Sequence, residues 1–177
     1  MLAPGVERVG RLVAQLLSLS RTERGIGKDA LHRLSLDALV SNEVEELRAL
    51  AASKSQVVNL VLDKADVFGD EFSLALLVRN LVENAIRYTP EHGVVVVSTE
   101  QTGEQCVLTV EDSGPGIPNE LQGRVFDRFY RVVGSGAEGS GLGLSIVQEI
   151  LEAHDGTITL GTSQCLDGLK VTVQLPS

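Results

Sequence analysis

Apolar residues recur along this chain with two different periods, and the switches between them mark out its elements. In residues 1–24, Leu2, Val6, Val9, Val13 and Leu16 alternate at spacings of four and three, while Arg8, Arg11 and Arg21 lie off the stripe. This is a heptad-like helix with one apolar face, which needs either a second helix or the body of its own domain as a partner. Gly25 and Gly27, flanking Ile26, break the period and predict a linker over 25–33. From Leu34 the pattern reads as a short strand and then a helix over 37–52, with Leu39, Val40, Val44, Leu47 and Leu50 apolar. Strand Val57–Leu62 and a brief extended piece near Val67 follow, then a helix over Glu71–Tyr88 that Thr89 and Pro90 stop. Strands over 94–99 and 106–111 flank the hairpin signal Thr102, Gly103, Glu104. A third helix over 142–154 ends at Asp155 and Gly156, and strands over 157–161 and 169–175 surround a turn near Asp167 and Gly168. Helices segregated from an antiparallel-rich sheet predict an α+β fold, a two-layer α/β sandwich.

Composition narrows the picture. A chain of 177 residues suffices for one self-supporting domain with a short appendage. With 43% hydrophobic residues, 3% aromatic residues and no Trp, its core must be aliphatic. The net charge of −9 argues against a nucleic-acid surface, which needs a basic patch. Any phosphate must therefore be held locally. Cys106 and Cys165 form no CxxC or disulfide framework and read as free thiols in a reducing compartment. No run of about 18 apolar residues and no signal-peptide pattern is present in the sequence.

Four segments carry candidate chemistry. Asn80 and Asn84 are one helical turn apart, so their amides project from one face amid Leu and Val. They are either solvated or bonded to a neighbouring loop, or their oxygens ligate a hard cation such as Mg²⁺ that bridges substrate phosphates. Asp112, at a strand end, is followed by Ser113, Gly114, Pro115, Gly116 and Ile117. A carboxylate there would accept from the exocyclic amine of adenine and oppose the carbonyl of guanine, although Asp, Gly and Pro also make ordinary turns. Gly139, Ser140, Gly141, Leu142, Gly143 and Leu144 open the third helix, where exposed N–H groups and the helix dipole favour an anion; a plain flexible loop has the same composition. The spacing is GxGxG, which differs from the dinucleotide fingerprint. Between the glycine clusters, Phe126, Arg128, Phe129, Tyr130 and Arg131 suit either a lid with aromatic anchors and cations or a surface helix. The stretch 113–140 is longer than most structureless connections in compact domains.

The order and spacing of these segments resemble the four boxes of the ATP-binding domains of two-component sensor histidine kinases, in the GHKL superfamily. The N box matches at Asn80, Asn84, Arg87 and Tyr88, the G1 box at Asp112, Gly114 and Gly116, the F box at Phe126, Arg128 and Phe129, and the G2 box at Gly139, Gly141 and Gly143. The resemblance covers nearly all of residues 34–175. It implies the Bergerat fold, a mixed and mostly antiparallel sheet of about five strands on three helices, preceded by the N-terminal helix. It also implies that Asn84 is the principal Mg²⁺ ligand with Asn80 assisting, and that Arg87 reaches the phosphates. Asp112 would read adenine, the third-box glycines would meet the triphosphate, and residues 118–138 would form the ATP lid. Tyr88, Ile117, Arg128, Arg131, Ser140, Leu142 and Leu144 complete the expected nucleotide contacts.

The hydrolytic branch of that superfamily carries a glutamate four residues before the metal-binding Asn; here that position is Asn80. Glu83 points about 100° away from Asn84 around the helix. A kinase is favoured over an ATPase, a serine kinase of the anti-sigma-factor type, or a degenerate binding module. None of His32, His92 and His154 has the neighbourhood of a phosphoacceptor box. The expectation is that residues 1–24 are the end of a dimerisation domain, 25–33 a linker and 34–177 the catalytic domain. The acceptor histidine would then precede this chain, and the fragment would bind Mg-ATP without autophosphorylating. The implied parent is a homodimer, anchored in the bacterial inner membrane with this domain in the cytoplasm, that passes phosphate to a response regulator receiver domain.

Overall fold

The computed structural model describes residues 31–131 and 140–177. Its elements are β1 His32–Ser35, α1 Leu36–Ser53, β2 Val57–Leu62, β3 Asp66–Gly69, α2 Glu71–Tyr88, β4 Val94–Thr102, β5 Gln105–Asp112, α3 Asn119–Gln122, α4 Gly143–Ala153, β6 Thr157–Thr162 and β7 Leu169–Pro176. The main sheet has five strands in the order β2-β4-β5-β7-β6, and β1 pairs with β3 in a separate two-stranded ribbon. Only β2 and β4 of the main sheet run parallel; the other three pairings are antiparallel. The expected two-layer α+β sandwich is therefore observed, with α1, α2 and α4 packed on one sheet face.

Alternation along the strands sets this layering. Val95, Val97, Leu108, Val110, Val171, Val173 and Leu175 point inward and join Leu74, Leu77, Val78, Ile146, Ile150 and Leu151 of the helices in one aliphatic core. Between them, Thr109, Glu111, Lys170, Thr172 and Gln174 are more exposed, which is the pattern of a sheet covered on one face.

Local chemistry sets the ends of α2. Asp70 accepts from the backbone N–H of Ser73 at 2.9 Å, which caps the first turn, and Glu71 complements the positive end of the dipole. At the other end Pro90 excludes Thr89 from the helical region, and Thr89 adopts extended geometry. The strands of the β4–β5 hairpin run on to Thr102 and from Gln105, past the expected 94–99 and 106–111, and other elements differ from expectation as well. β1 begins at His32, two residues inside the segment read as linker, because His32 and Arg33 pair with Gly69 and Phe68. α4 is one residue shorter at each end than the expected 142–154, with Leu142 and His154 as its caps. The short α3 lies inside the expected lid, where the glycine and proline content suggested no helix.

His154 is buried and links the two helices that later frame the site. Its Nδ1 donates to Ile150 O at 2.7 Å, and its Nε2 accepts from the Asp70 N–H at 3.1 Å. This joins the end of α4 to the start of α2. The start of α4 meets the second half of α2 at Gly143, beside Asn80 and Asn84, so the two helices run in opposite directions.

Candidate functional site

Asn80 and Asn84 face the first residue of α4. A methyl group placed on Gly143 would lie 3.2 Å from Asn80 Oδ1 and 3.3 Å from Asn84 Nδ2, so a side chain at the helix start would crowd both amides. Asn80 is buried, and its Nδ2 donates to Leu76 O at 2.8 Å, one turn back. That bond occupies the donor and turns Oδ1 towards Gly143. Asn84 is half-buried beside it. The alternative of two merely solvated amides does not describe Asn80.

Arg87 lies one turn beyond Asn84, and its guanidinium is held by Glu83 on the same helix, with Nε and Nη2 donating to Oε1 at 3.0 and 2.7 Å. Only 11% of the Glu83 side chain is exposed. This pairing was missed in the sequence, although acid and base at i and i+4 is a readable signal. It means that Glu83 is engaged by Arg87, and its side chain leaves α2 about 100° around the helix from that of Asn84.

Asp112 ends β5 at 4% exposure. One of its oxygens, Oδ1, accepts from the N–H of Gly114 at 2.8 Å and of Leu169 at 3.2 Å. Burial pushes its carboxyl pKa up from the usual value, and the two N–H groups partly offset that push. Glycines enclose it: a methyl on Gly168 would sit 2.0 Å from Asp112 O, and one on Gly114 would sit 2.9 Å from both Asp112 Oδ1 and Tyr88 O. The sequence marked Gly168 only as a turn residue, because nothing along the chain links it to a carboxylate fifty-odd positions earlier. Beyond Gly114, Gly116 takes a φ of 68°, and Ile117 is half-buried, its carbonyl accepting from Gln122 Nε2.

The F-box segment meets the third glycine cluster through backbone. Phe129 N donates to Gly141 O at 2.8 Å, and a methyl on Gly141 would fall 2.7 Å from the Phe129 carbonyl carbon. Gly141 has a φ of 72°, and Phe129 itself sits at 66° with its ring exposed. Phe126 is half-buried. Arg128 Nη2 donates to Glu149 Oε1 of α4 at 2.7 Å, and Arg124 lies over the Tyr130 ring. Leu142 is buried and Leu144 half-buried against the core, while Arg131 and Ser140 are exposed. Gly139 and residues 132–138 of the expected lid lie outside the described residues, as do residues 1–24 and 25–30.

The expected residues are thus brought together in three groups: the amides of α2 with Gly143, Asp112 with Gly114 and the end of α2, where the unexpected Gly168 joins them, and Phe129 with Gly141. Among the described residues no three His, Cys, Asp or Glu side chains converge on a common point, and the oxygens that a methyl on Gly143 would meet are the Asn80 and Asn84 amide oxygens, at 3.2 and 3.6 Å. No helix among the described residues is long and apolar enough to cross a membrane.

Residues 69–177 match the family described as histidine kinase-, DNA gyrase B- and HSP90-like ATPases. The sensor protein kinase PmrB of Pseudomonas aeruginosa is 40% identical over 97% of this chain, which spans 36% of that protein. Among solved structures, the mycobacterial sensor histidine kinase MprB aligns over 82% of this chain and 97% of its own at 27% identity, with a TM-score of 0.74. Histidine kinase AdeS of Acinetobacter baumannii aligns over 99% of this chain and 81% of its own at 26% identity, with a TM-score of 0.78. The chain spans about a third of the length of the curated relatives it matches. Sequence and fold agree: this chain belongs to the histidine kinase-, DNA gyrase B- and HSP90-like ATPase family, among the ATP-binding domains of sensor histidine kinases.

Proposed function

We propose that this chain holds Mg-ATP for transfer of the γ-phosphate to a histidine imidazole on a dimerisation domain, and that a receiver-domain aspartate of a response regulator accepts it next. The convergence of the Asn80 and Asn84 amides on Gly143 carries the reading. Neutral amide oxygens suit Mg²⁺, which prefers oxygen ligands and keeps waters while bridging phosphates; carboxylates there would add charge beside a triphosphate. When bound, the ion neutralises developing charge on the phosphates. Asn84, assisted by Asn80 Oδ1, would hold it.

The remaining residues bind and orient. N–H groups at the start of α4 offer an anion site, which is how a chain of net charge −9 can hold phosphate. Arg87 and Arg128 are cations within reach of exchange from Glu83 and Glu149 to phosphate. Asp112 accepts from the exocyclic amine of adenine through Oδ2, since Oδ1 already takes two backbone N–H groups. Tyr88, Gly116, Ile117, Ser140, Leu142 and Leu144 line the nucleotide, with residues 118–138 as lid. Transfer to imidazole demands positioning more than base catalysis, because the ring nitrogen brings its own lone pair. The absence of a carboxylate at position 80, with Glu83 paired to Arg87, disfavours water activation.

In this reading residues 1–24 are the end of the dimerisation domain, 25–33 the linker and 34–177 the catalytic domain of a homodimeric, inner-membrane parent facing the cytoplasm. Calorimetric titration with ATP should show Mg-dependent binding, and an isolated dimerisation domain bearing its histidine should be phosphorylated in trans. No saturable binding, or transfer only to water or to serine, would refute the proposal.

A further inference from the structure

The last turn of α2 is gripped from outside by two side chains at the junction of α1 and β2. Lys54 Nζ donates to Ile86 O and Arg87 O, each at 2.9 Å, and to Thr89 O. Gln56 Nε2 is shared among Ile86 O at 3.0 Å, Thr89 O at 2.7 Å and Pro90 O at 3.1 Å. The carbonyls at a helix end have no partner within the helix, and here an ammonium and an amide supply it. Backbone bonds close the same junction: Lys54 O accepts from His92 N, and Val57 N donates to Gly93 O, both at 3.0 Å.

This clasp sits between the two halves of the nucleotide site. The turn it holds carries Arg87 and Tyr88, and the Tyr88 carbonyl abuts Gly114, the residue whose N–H orients Asp112. A methyl on Gly93 would fall 2.3 Å from Thr89 Cγ2, 2.7 Å from Ser113 Oγ and 3.0 Å from Pro90 O, so the three close in around that glycine. Moving the end of α2 therefore moves the floor under the purine reader and the cation one turn beyond Asn84. Among the described residues, two buried side-chain oxygens, Gln56 Oε1 and Thr89 Oγ1, find no hydrogen-bond partner. An apolar side chain at position 56 would avoid that desolvation cost, so the amide is explained by what its NH₂ group holds. Burial likewise pushes the Lys54 ammonium pKa down, Arg87 adding to the push and Glu91 opposing it.

We propose that Lys54 and Gln56 are positioning residues for the nucleotide, setting the distance between the Asp112–Gly114 reader and the Asn84–Arg87 end of α2. The proposal rests on the ATP-binding reading above. The test titrates Mg-ATP and Mg-GTP into the full chain and into Lys54→Met, Lys54→Arg and Gln56→Met, each well below its melting midpoint. Lys54→Met is expected to weaken ATP about tenfold and to narrow the preference for ATP over GTP, while Lys54→Arg, which can still donate to the carbonyls, stays within about threefold of the parent. A folded Lys54→Met that melts earlier yet binds ATP with the parent's affinity and preference would overturn the proposal, since a merely structural role predicts that result. If Lys54→Met does not fold, Gln56→Met decides by the same two readings. A parent chain that itself fails to bind ATP would refute the underlying reading, and the clasp's role with it.

Discussion

Asp112 is buried, and backbone N–H groups hold one of its oxygens, whereas Arg87 and Arg128 are paired with the side chains of Glu83 and Glu149. The carboxylate cannot swing without moving β5, β7 or the Gly114 loop. The two cations can leave their partners while the backbone stays put, at a cost of about 1 kcal/mol or less for a pair as exposed as Arg128 with Glu149. Under the proposed reading, the purine end of the site is thus preformed, and the phosphate end would be assembled by exchanging carboxylates for phosphate.

The largest effect is expected where the phosphate end cannot be rebuilt. Asn84→Ala should cost about 100-fold or more in Mg-dependent ATP affinity with little change in melting midpoint, measured by calorimetry with and without Mg²⁺. Equal affinity in mutant and parent would end the ligand role. Gly168→Ala attacks the preformed end: with the methyl 2.0 Å from Asp112 O, about 3 kcal/mol of stability and about 30-fold in ATP affinity should go together. A parent-like thermal melt would show that the β6–β7 turn yields, and that the purine end is less rigid than the contacts imply.

Asp112→Asn should reduce the preference for ATP over GTP about tenfold, read from paired titrations. The same variant isolates a pH effect. Because the folded carboxyl pKa is raised above 3.8, the folded chain keeps its proton where the unfolded chain has lost it. Stability of the ligand-free chain from this group is therefore greatest at low pH and falls as pH rises through that window. ATP binding needs the ionised form, so affinity should fall on acidification at a higher pH than an ordinary carboxylate would produce, and Asp112→Asn should lose that component. Identical pH profiles would locate the titration in the nucleotide. The smallest effect is expected at the adjustable end, where Glu149→Gln frees Arg128 and should raise ATP affinity about twofold. A loss of affinity would mean that the ion pair supports the site.

Much of this arrangement was legible along the chain because its signals are local. The C-terminal end of α2 was readable from Thr89 and Pro90, and β2 from its Val and Leu run, since helix stops and strand limits are written within a few residues. The amide pair and the glycine clusters were readable as residue types at helical or loop spacing. What escaped was long-range or depended on geometry: Gly168 beneath Asp112, Lys54 and Gln56 on the end of α2, and His154 on Asp70, whose bond spans 84 positions. Each is a side chain or a missing side chain meeting backbone from a distant segment, and no periodicity records that.

The His154 contact bears on the bookkeeping of label in a phosphorelay. Its Nδ1 hydrogen is given to the Ile150 carbonyl, and the Nε2 lone pair is taken by the Asp70 N–H, so neither nitrogen is left to attack phosphorus. In a radiolabelled ATP assay of this chain alone, His154 is a silent position. Acid-labile counts retained by the described residues would belong to the exposed His32 or His92, and blanking those two would set the background against which transfer to an added acceptor is counted.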